Sequence, residues 1–283
     1  MISETESSLS SGDESLFMRS IAPSGASIAR LAVVHGYGDH SGRFVEFMRF
    51  MAERGIACHA IDLQGQGKSS GRRGYVVRWD DYLDNLSQLL TSLGPKAMPP
   101  LFVLGHSHGG LVVASGIVRG LPCISQLAGC VLTSPFFKCA FPIPRWKIVA
   151  ARAVRPLAPW MPFASNVPNE WLSSDPQMVE QTSRDPLCVR AATPSWYVGH
   201  LEAQRYAMQH AGEFKLPLLM LAAGADPIAD PAAEKQFFDA CGSSDKQFKL
   251  YENCRHELLR EVCREAVFEE ILQWVQMHIS KSA

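Results

Sequence analysis

Gly105-His106-Ser107-His108-Gly109 sets a serine two places from a glycine on either side. A serine hydroxyl is a weak nucleophile near neutral pH. To attack a carbonyl it needs a base to take its proton and an acid to orient that base. Residues 101–104 before it read as a buried strand, and residues 109–119 after it read as a helix. A serine at such a junction sits on a nucleophile elbow. The turn forces its backbone into a strained conformation, the glycines remove side chains that would collide, and the helix N-terminus favours developing negative charge. The chemistry this predicts is acyl transfer from an ester to Ser107 and then to water.

With a nucleophile in that setting the partners follow in the order serine, acid, histidine. Of nine histidines, His256 is the best base, because it comes shortly after an apolar run at 248–251 and before a C-terminal amphipathic stretch. The acid should leave a strand between Ser107 and His256. Asp226 closes LPLLMLAAGAD and is the preferred candidate; Asp230 is the rival, with the alternative role of N-cap to a helix that begins near Pro231. The oxyanion needs two backbone N–H donors. His108, the residue after the nucleophile, supplies one, and Tyr37 in His35-Gly36-Tyr37-Gly38 is the candidate for the other. No step in this scheme calls for a metal or a cofactor.

Positioning these residues requires a particular frame. Apolar runs at 31–35, 56–63, 101–104, 129–133, 216–223 and 248–251 read as strands. Amphipathic stretches at 43–54, 79–93, 109–119 and 265–279 read as helices. Strand and helix alternate, which predicts a mostly parallel sheet with helices on both faces and functional loops at one edge. Residues 135–212 break the alternation. They are rich in Pro, Trp and Arg and fit a helical cap, or lid, inserted between two sheet strands, leaving 15–134 and 213–283 as the core. Residues 1–14, rich in Ser and Glu, read as a loose leader.

Composition narrows the function classes. Apolar residues at 47% against 19% charged indicate a sizeable core rather than a disordered chain. A net charge of -1 with no basic stripe argues against nucleic-acid binding. The eight cysteines contain no C-x-x-C pair and no zinc-finger spacing, so they read as buried free thiols in a reducing compartment. The loop at 65–74 lacks the spacing of a phosphate cradle. With no basic n-region at its start and no apolar run of spanning length, the chain reads as cytoplasmic. Residues 141–163 (FPIPRWKIVAARAVRPLAPWMPF) combine apolar and basic residues in a way that suits an amphipathic lid, either packed on the core or touching a membrane surface transiently.

In order along the chain, HGYGDHSGRF, IDLQGQGKSSGRRG, GHSHGG, LAAGAD and YENCRHE resemble the monoacylglycerol lipase and lysophospholipase branch of the α/β-hydrolase family over roughly residues 14–280. The resemblance implies an eight-stranded, mostly parallel sheet, a cap inserted after the sixth strand, and hydrolysis of single-chain lipid esters. Ser107, Asp226 and His256 match the family's triad. The segment from His35 to Arg43 matches the one that supplies an oxyanion donor and polar contacts to the glycerol head, which maps onto Tyr37, Asp39 and Arg43. Three positions depart from that pattern. His108 stands where Met is frequent, Asp39 where monoglyceride-specific members carry Glu, and Leu259 where they carry a histidine. The sequence therefore leaves open a monoacylglycerol or lysophospholipid head, with a general carboxylesterase, a proline iminopeptidase-like amidase and an inactive binding protein as alternatives.

Overall fold

A computed structural model describes residues 1–94, 99–164 and 167–282. Among these residues ten strands appear in chain order: β1 (Ile2–Ser11), β2 (Glu14–Pro23), β3 (Ala29–Val34), β4 (Ile56–Ile61), β5 (Leu101–His106), β6 (Leu127–Thr133), β7 (Phe163–Ala164), β8 (Ala191–Ala192), β9 (Leu218–Ala223) and β10 (Lys246–Tyr251). Eight helices accompany them: α1 (Val45–Glu53), α2 (Asp80–Ser92), α3 (His108–Val118), α4 (Arg145–Val154), α5 (Pro176–Arg184), α6 (Pro194–Gln209), α7 (Pro231–Ala240) and α8 (Arg264–Ser282).

Eight strands form one sheet in the order β1-β2-β4-β3-β5-β6-β9-β10. Every pairing from β4 to β10 is parallel, and β2 is antiparallel to both its neighbours, so it alone runs against the rest. The central strands β3 and β5 are buried along their whole length, as strands covered on both faces must be. Alternate residues feed two cores. Leu31 and Val33 of β3 pack with α1 and α8 residues such as Phe47, Phe268 and Trp274. Ala32 and Val34 pack on the opposite face with α2, α3 and α7 residues such as Leu86, Val112 and Phe237. Stable layers on both sides hold the strand ends, and hence their loops, in fixed register.

Residues 2–11 are not a loose leader. They form β1, paired with β2 from Ile2↔Pro23 to Ser11↔Glu14. The polar composition that reads as disorder is the composition of an edge strand with much of its surface in water. Gly12, at φ 59°, makes the tight turn between the two strands. The first helix also starts later than its apolar spacing implies: Ser41–Phe44 is a 3-10 turn, capped by the His40 side chain accepting from the Gly42 N–H, and α1 follows it.

Between β6 and β9 the chain leaves the sheet to form α4, α5, α6 and the two-stranded β7-β8 pair. Thr193 caps α6 through the Trp196 N–H, and Pro194 occupies its first turn. This segment lies over the ends of the parallel strands: the Val189 N–H donates to the Gly38 carbonyl, and the Glu257 N–H donates to the Leu172 carbonyl.

Candidate active site

Ser107 sits between β5 and α3 at φ 53° and ψ -118°, a conformation that side-chain-bearing residues rarely adopt. Its carbonyl accepts from the Leu111 and Phe136 N–H groups and its own N–H donates to the Thr133 carbonyl, so the strain is held from several directions. The flanking glycines are needed for space. A Cβ on Gly109 would lie 2.2 Å from the Val34 carbonyl oxygen, and one on Gly105 would lie 2.7 Å from that of Gly109.

Asp226 follows β9. Gly224 donates to the Tyr251 carbonyl and Ala225 to that of Cys254, stitching this loop to the one that carries His256. Asp226 Oδ1 accepts from the Ile228 and Ala229 N–H groups at 2.7 and 3.0 Å, which aims Oδ2 at His256 Nδ1, 2.6 Å away. His256 Nε2 lies 2.7 Å from Ser107 Oγ. All three side chains are buried. Asp230 takes its alternative role. It caps α7 through the Ala232 N–H and pairs with Lys138. Burial alone would push the His256 pKa down. The adjoining Asp226 carboxylate, helped by Glu257 and Asp39, outweighs burial and holds it above the ordinary imidazole value.

The Gly36–Gly38 loop passes directly over the serine: a Cβ on Gly36 would stand 3.3 Å from the Ser107 Cβ. The Tyr37 hydroxyl lies between the Gly74 and Ala191 carbonyls, and its ring stacks on Trp196 at 3.8 Å. Gly38 N–H donates to Gln66 Oε1. Among the described residues no protein acceptor engages the amide of Tyr37 or of His108. The His108 side chain is buried against Trp79 and Tyr82, with its Nδ1 3.5 Å from that of His200. Burial pushes its pKa well down, so a neutral ring fills this space.

Asp39 and Arg43 meet at the polar end of the same cavity. Arg43 Nη1 donates to Asp39 Oδ1 at 3.0 Å, and Nη2 donates to Thr182 Oγ1 and to Glu257 Oε2, each at 2.7 Å. Burial would raise the Asp39 pKa, but the guanidinium overcomes it and brings the group down to about 2. Glu257 escapes sequence reasoning as a site residue. The only signal was its place directly after the candidate base. Leu259, in contrast, is buried in the core with α1 and α8 residues and offers no polar group to the cavity.

The cavity holds about 1120 Å³ and runs from these groups into the segment above the sheet. Phe136, Phe141, Ile143, Val154, Met161 and Leu201 give most of its length an apolar wall. For a metal, His40, Asp185 and Cys188 bring three ligand atoms within 4.8 Å of one another. Their own contacts account for the grouping: His40 Nε2 lies 2.8 Å from Asp185 Oδ2, and burial pushes the Cys188 thiol up to about 12. Cys254 and Cys263 bring their sulfurs near each other across a Cα–Cα distance of 7.2 Å, and the other six cysteines stand apart as free thiols.

The family model for serine aminopeptidase S33 hydrolases matches residues 25–262. Human monoglyceride lipase is 31% identical over 270 residues, 92% of this chain and 86% of that protein. Phospholipase YtpA of Bacillus subtilis is 25% identical, with 89% and 96% covered. The chain also spans 30% of a longer uncharacterised abhydrolase domain-containing protein of Dictyostelium discoideum, at 30% identity. The crystal structure of Paleococcus ferrophilus monoacylglycerol lipase superposes with a TM-score of 0.85 over 93% of this chain and 99% of that one, at 24% identity. With the α/β-hydrolase sheet, the elbow and the buried serine–histidine–aspartate line on one side and these relatives on the other, the chain belongs to the serine aminopeptidase S33 family, in its monoacylglycerol lipase and lysophospholipase branch, and is a carboxylic ester hydrolase.

Proposed function

We propose that the protein hydrolyses the ester of a single-chain lipid, with monoacylglycerol as its preferred class, through Ser107, His256 and Asp226. The observation that carries this reading is the unbroken line from Ser107 Oγ to His256 Nε2 and from Nδ1 to Asp226, which opens into an apolar cavity. His256 takes the Ser107 proton as the oxygen attacks the ester carbonyl. Asp226 fixes the ring with Nδ1 protonated and stabilises the imidazolium. The Tyr37 and His108 amides receive the oxyanion. The alcohol leaves with the proton from His256, and water, deprotonated by the same ring, releases the fatty acid.

The volume of this largely apolar cavity, about 1120 Å³, favours a medium or long acyl chain over a general short-chain esterase. The test is a panel of p-nitrophenyl esters from short to long chains, with monooleoylglycerol and lysophosphatidylcholine, on wild type and Ser107→Ala. Wild type should prefer longer single chains, and Ser107→Ala should lose at least about 10³-fold in kcat with KM little changed. Activity confined to the shortest esters would overturn the lipid reading. Full activity in Ser107→Ala would overturn the mechanism.

A further inference from the structure

Glu257 sits at the point where the candidate base and the polar end of the cavity meet. Its backbone N–H donates to the Leu172 carbonyl, and its side chain is buried and takes the Arg43 guanidinium at 2.7 Å. Arg43 is the buried cation at the heart of this end, and both its terminal nitrogens are engaged: one on Asp39, the other on Thr182 and Glu257. Its Nε is buried without a partner. The two arginines beside it are engaged in part. Arg260 lies 3.5 Å from Glu257 Oε2 and donates to the Arg43 carbonyl and Gln181, while Arg190 donates to the Thr182 and Ser183 carbonyls. The cavity wall includes both Asp39 and Glu257. Among the described residues nothing donates to Asp39 Oδ2 or Glu257 Oε1. A head group entering here meets two acceptor-only carboxylate oxygens and a guanidinium that is already neutralised.

We infer that Glu257 is a specificity-determining residue. By joining Asp39 in neutralising Arg43 it turns what would be an anion-binding end into one that accepts hydroxyl donors and rejects anionic head groups. This rests on the proposed lipid-ester activity and refines it, choosing an uncharged polyol ester over a lysophospholipid with a phosphate monoester. The physical reason is one of balance. A phosphate needs a guanidinium whose charge is not already matched, and here it would compete with Asp39 and Glu257 for Arg43 while facing both of their charges. A glycerol hydroxyl needs only an acceptor.

The test compares kcat/KM for monooleoylglycerol and oleoyl-lysophosphatidate, two substrates with one acyl chain, in wild type, Glu257→Gln and Glu257→Asp. A p-nitrophenyl octanoate assay, which lacks the head group, reports the underlying esterase activity separately. Wild type should prefer the glycerol ester by more than about 100-fold. Glu257→Gln should narrow that ratio at least about tenfold, with the acid limb of its pH profile moved to lower pH because a carboxylate beside His256 is gone. Glu257→Asp should restore the preference. A wild-type ratio near one overturns the inference without any variant, as does a ratio unmoved in a Glu257→Gln protein that still cleaves the octanoate. Loss of all ester cleavage in wild type would instead strike the parent reading.

Discussion

Ser107 and His256 owe their geometry to different kinds of information. The elbow is local: glycines at 105 and 109 are demanded by backbone that would meet a Cβ at 2.7 and 2.2 Å, and such needs are visible in a short stretch of sequence. Asp226 was legible for a similar reason, since the carboxylate at a strand exit and the one before Pro231 have separable jobs. Glu257 was not, because its partner is 214 positions away and its spacing to other charges carries no motif. Asp226 also sets the pH behaviour. Because its carboxylate holds the His256 pKa up, the base is protonated, and idle, to a higher pH than a free imidazole would be. Asp226→Asn removes that charge and favours the wrong tautomer. It should cost about 10³–10⁴ in kcat and move the acid limb of the surviving activity to lower pH. A variant with the wild-type limb would show that the limb reports another group.

The loop from Cys254 to Cys263 is an element in its own right, though it has almost no regular structure. Its centre is the fully buried Glu261, which accepts from the Ser174 N–H and hydroxyl, the Arg255 N–H and the Val262 N–H at 2.6–2.8 Å. One carboxylate thus ties the segment before α5 to the backbone next to His256. Glu261→Ala leaves those donors unmet and should destabilise the protein by about 2–4 kcal/mol in urea unfolding. It should lower kcat more than it raises KM, since the base loses its support. An unchanged midpoint would mean that water replaces the carboxylate without cost. None of this was readable from the sequence, where residues 254–263 show neither apolar period nor turn signature. The core strands β3, β5, β6 and β9 were readable, because burial on both faces requires continuous apolar runs.

In the molecule as a whole, apolar surface is placed unevenly. Among the described residues, no helix is long and apolar enough to cross a membrane. Yet Trp146, Val149, Leu157, Trp160, Met161 and Phe163 are all exposed, gathered on α4 and the chain just after it, with Arg145, Lys147 and Arg152 on the same helix. Trp146, Met161 and Phe163 also line the cavity, so the outer patch and the inner wall are continuous. We propose that this face touches lipid while substrate enters. Replacing Leu157 and Trp160, which lie outside the cavity wall, by Ser should reduce sedimentation with phosphatidylcholine vesicles at least about fivefold while leaving the cleavage of a water-soluble ester intact. Binding equal to wild type would refute the contact.

At the far border of the sheet the chemistry is the reverse. β1 has few apolar side chains facing outward. Its Glu4 and Glu6 pair with Arg19, Arg49 and Lys68, and most of its residues are exposed. β2 beneath it carries Leu16, Phe17, Met18 and Ile21. A strand of that kind left at a border offers its open amides to any other chain, and self-association follows. Removing residues 1–11 should therefore give concentration-dependent species in light scattering that the full chain lacks at the same concentration, and equal scattering would count against the idea. The serine- and glutamate-rich strand works as a selvedge: it contributes little to the chemistry at the other end of the sheet, but it keeps the weave from being extended by a neighbour.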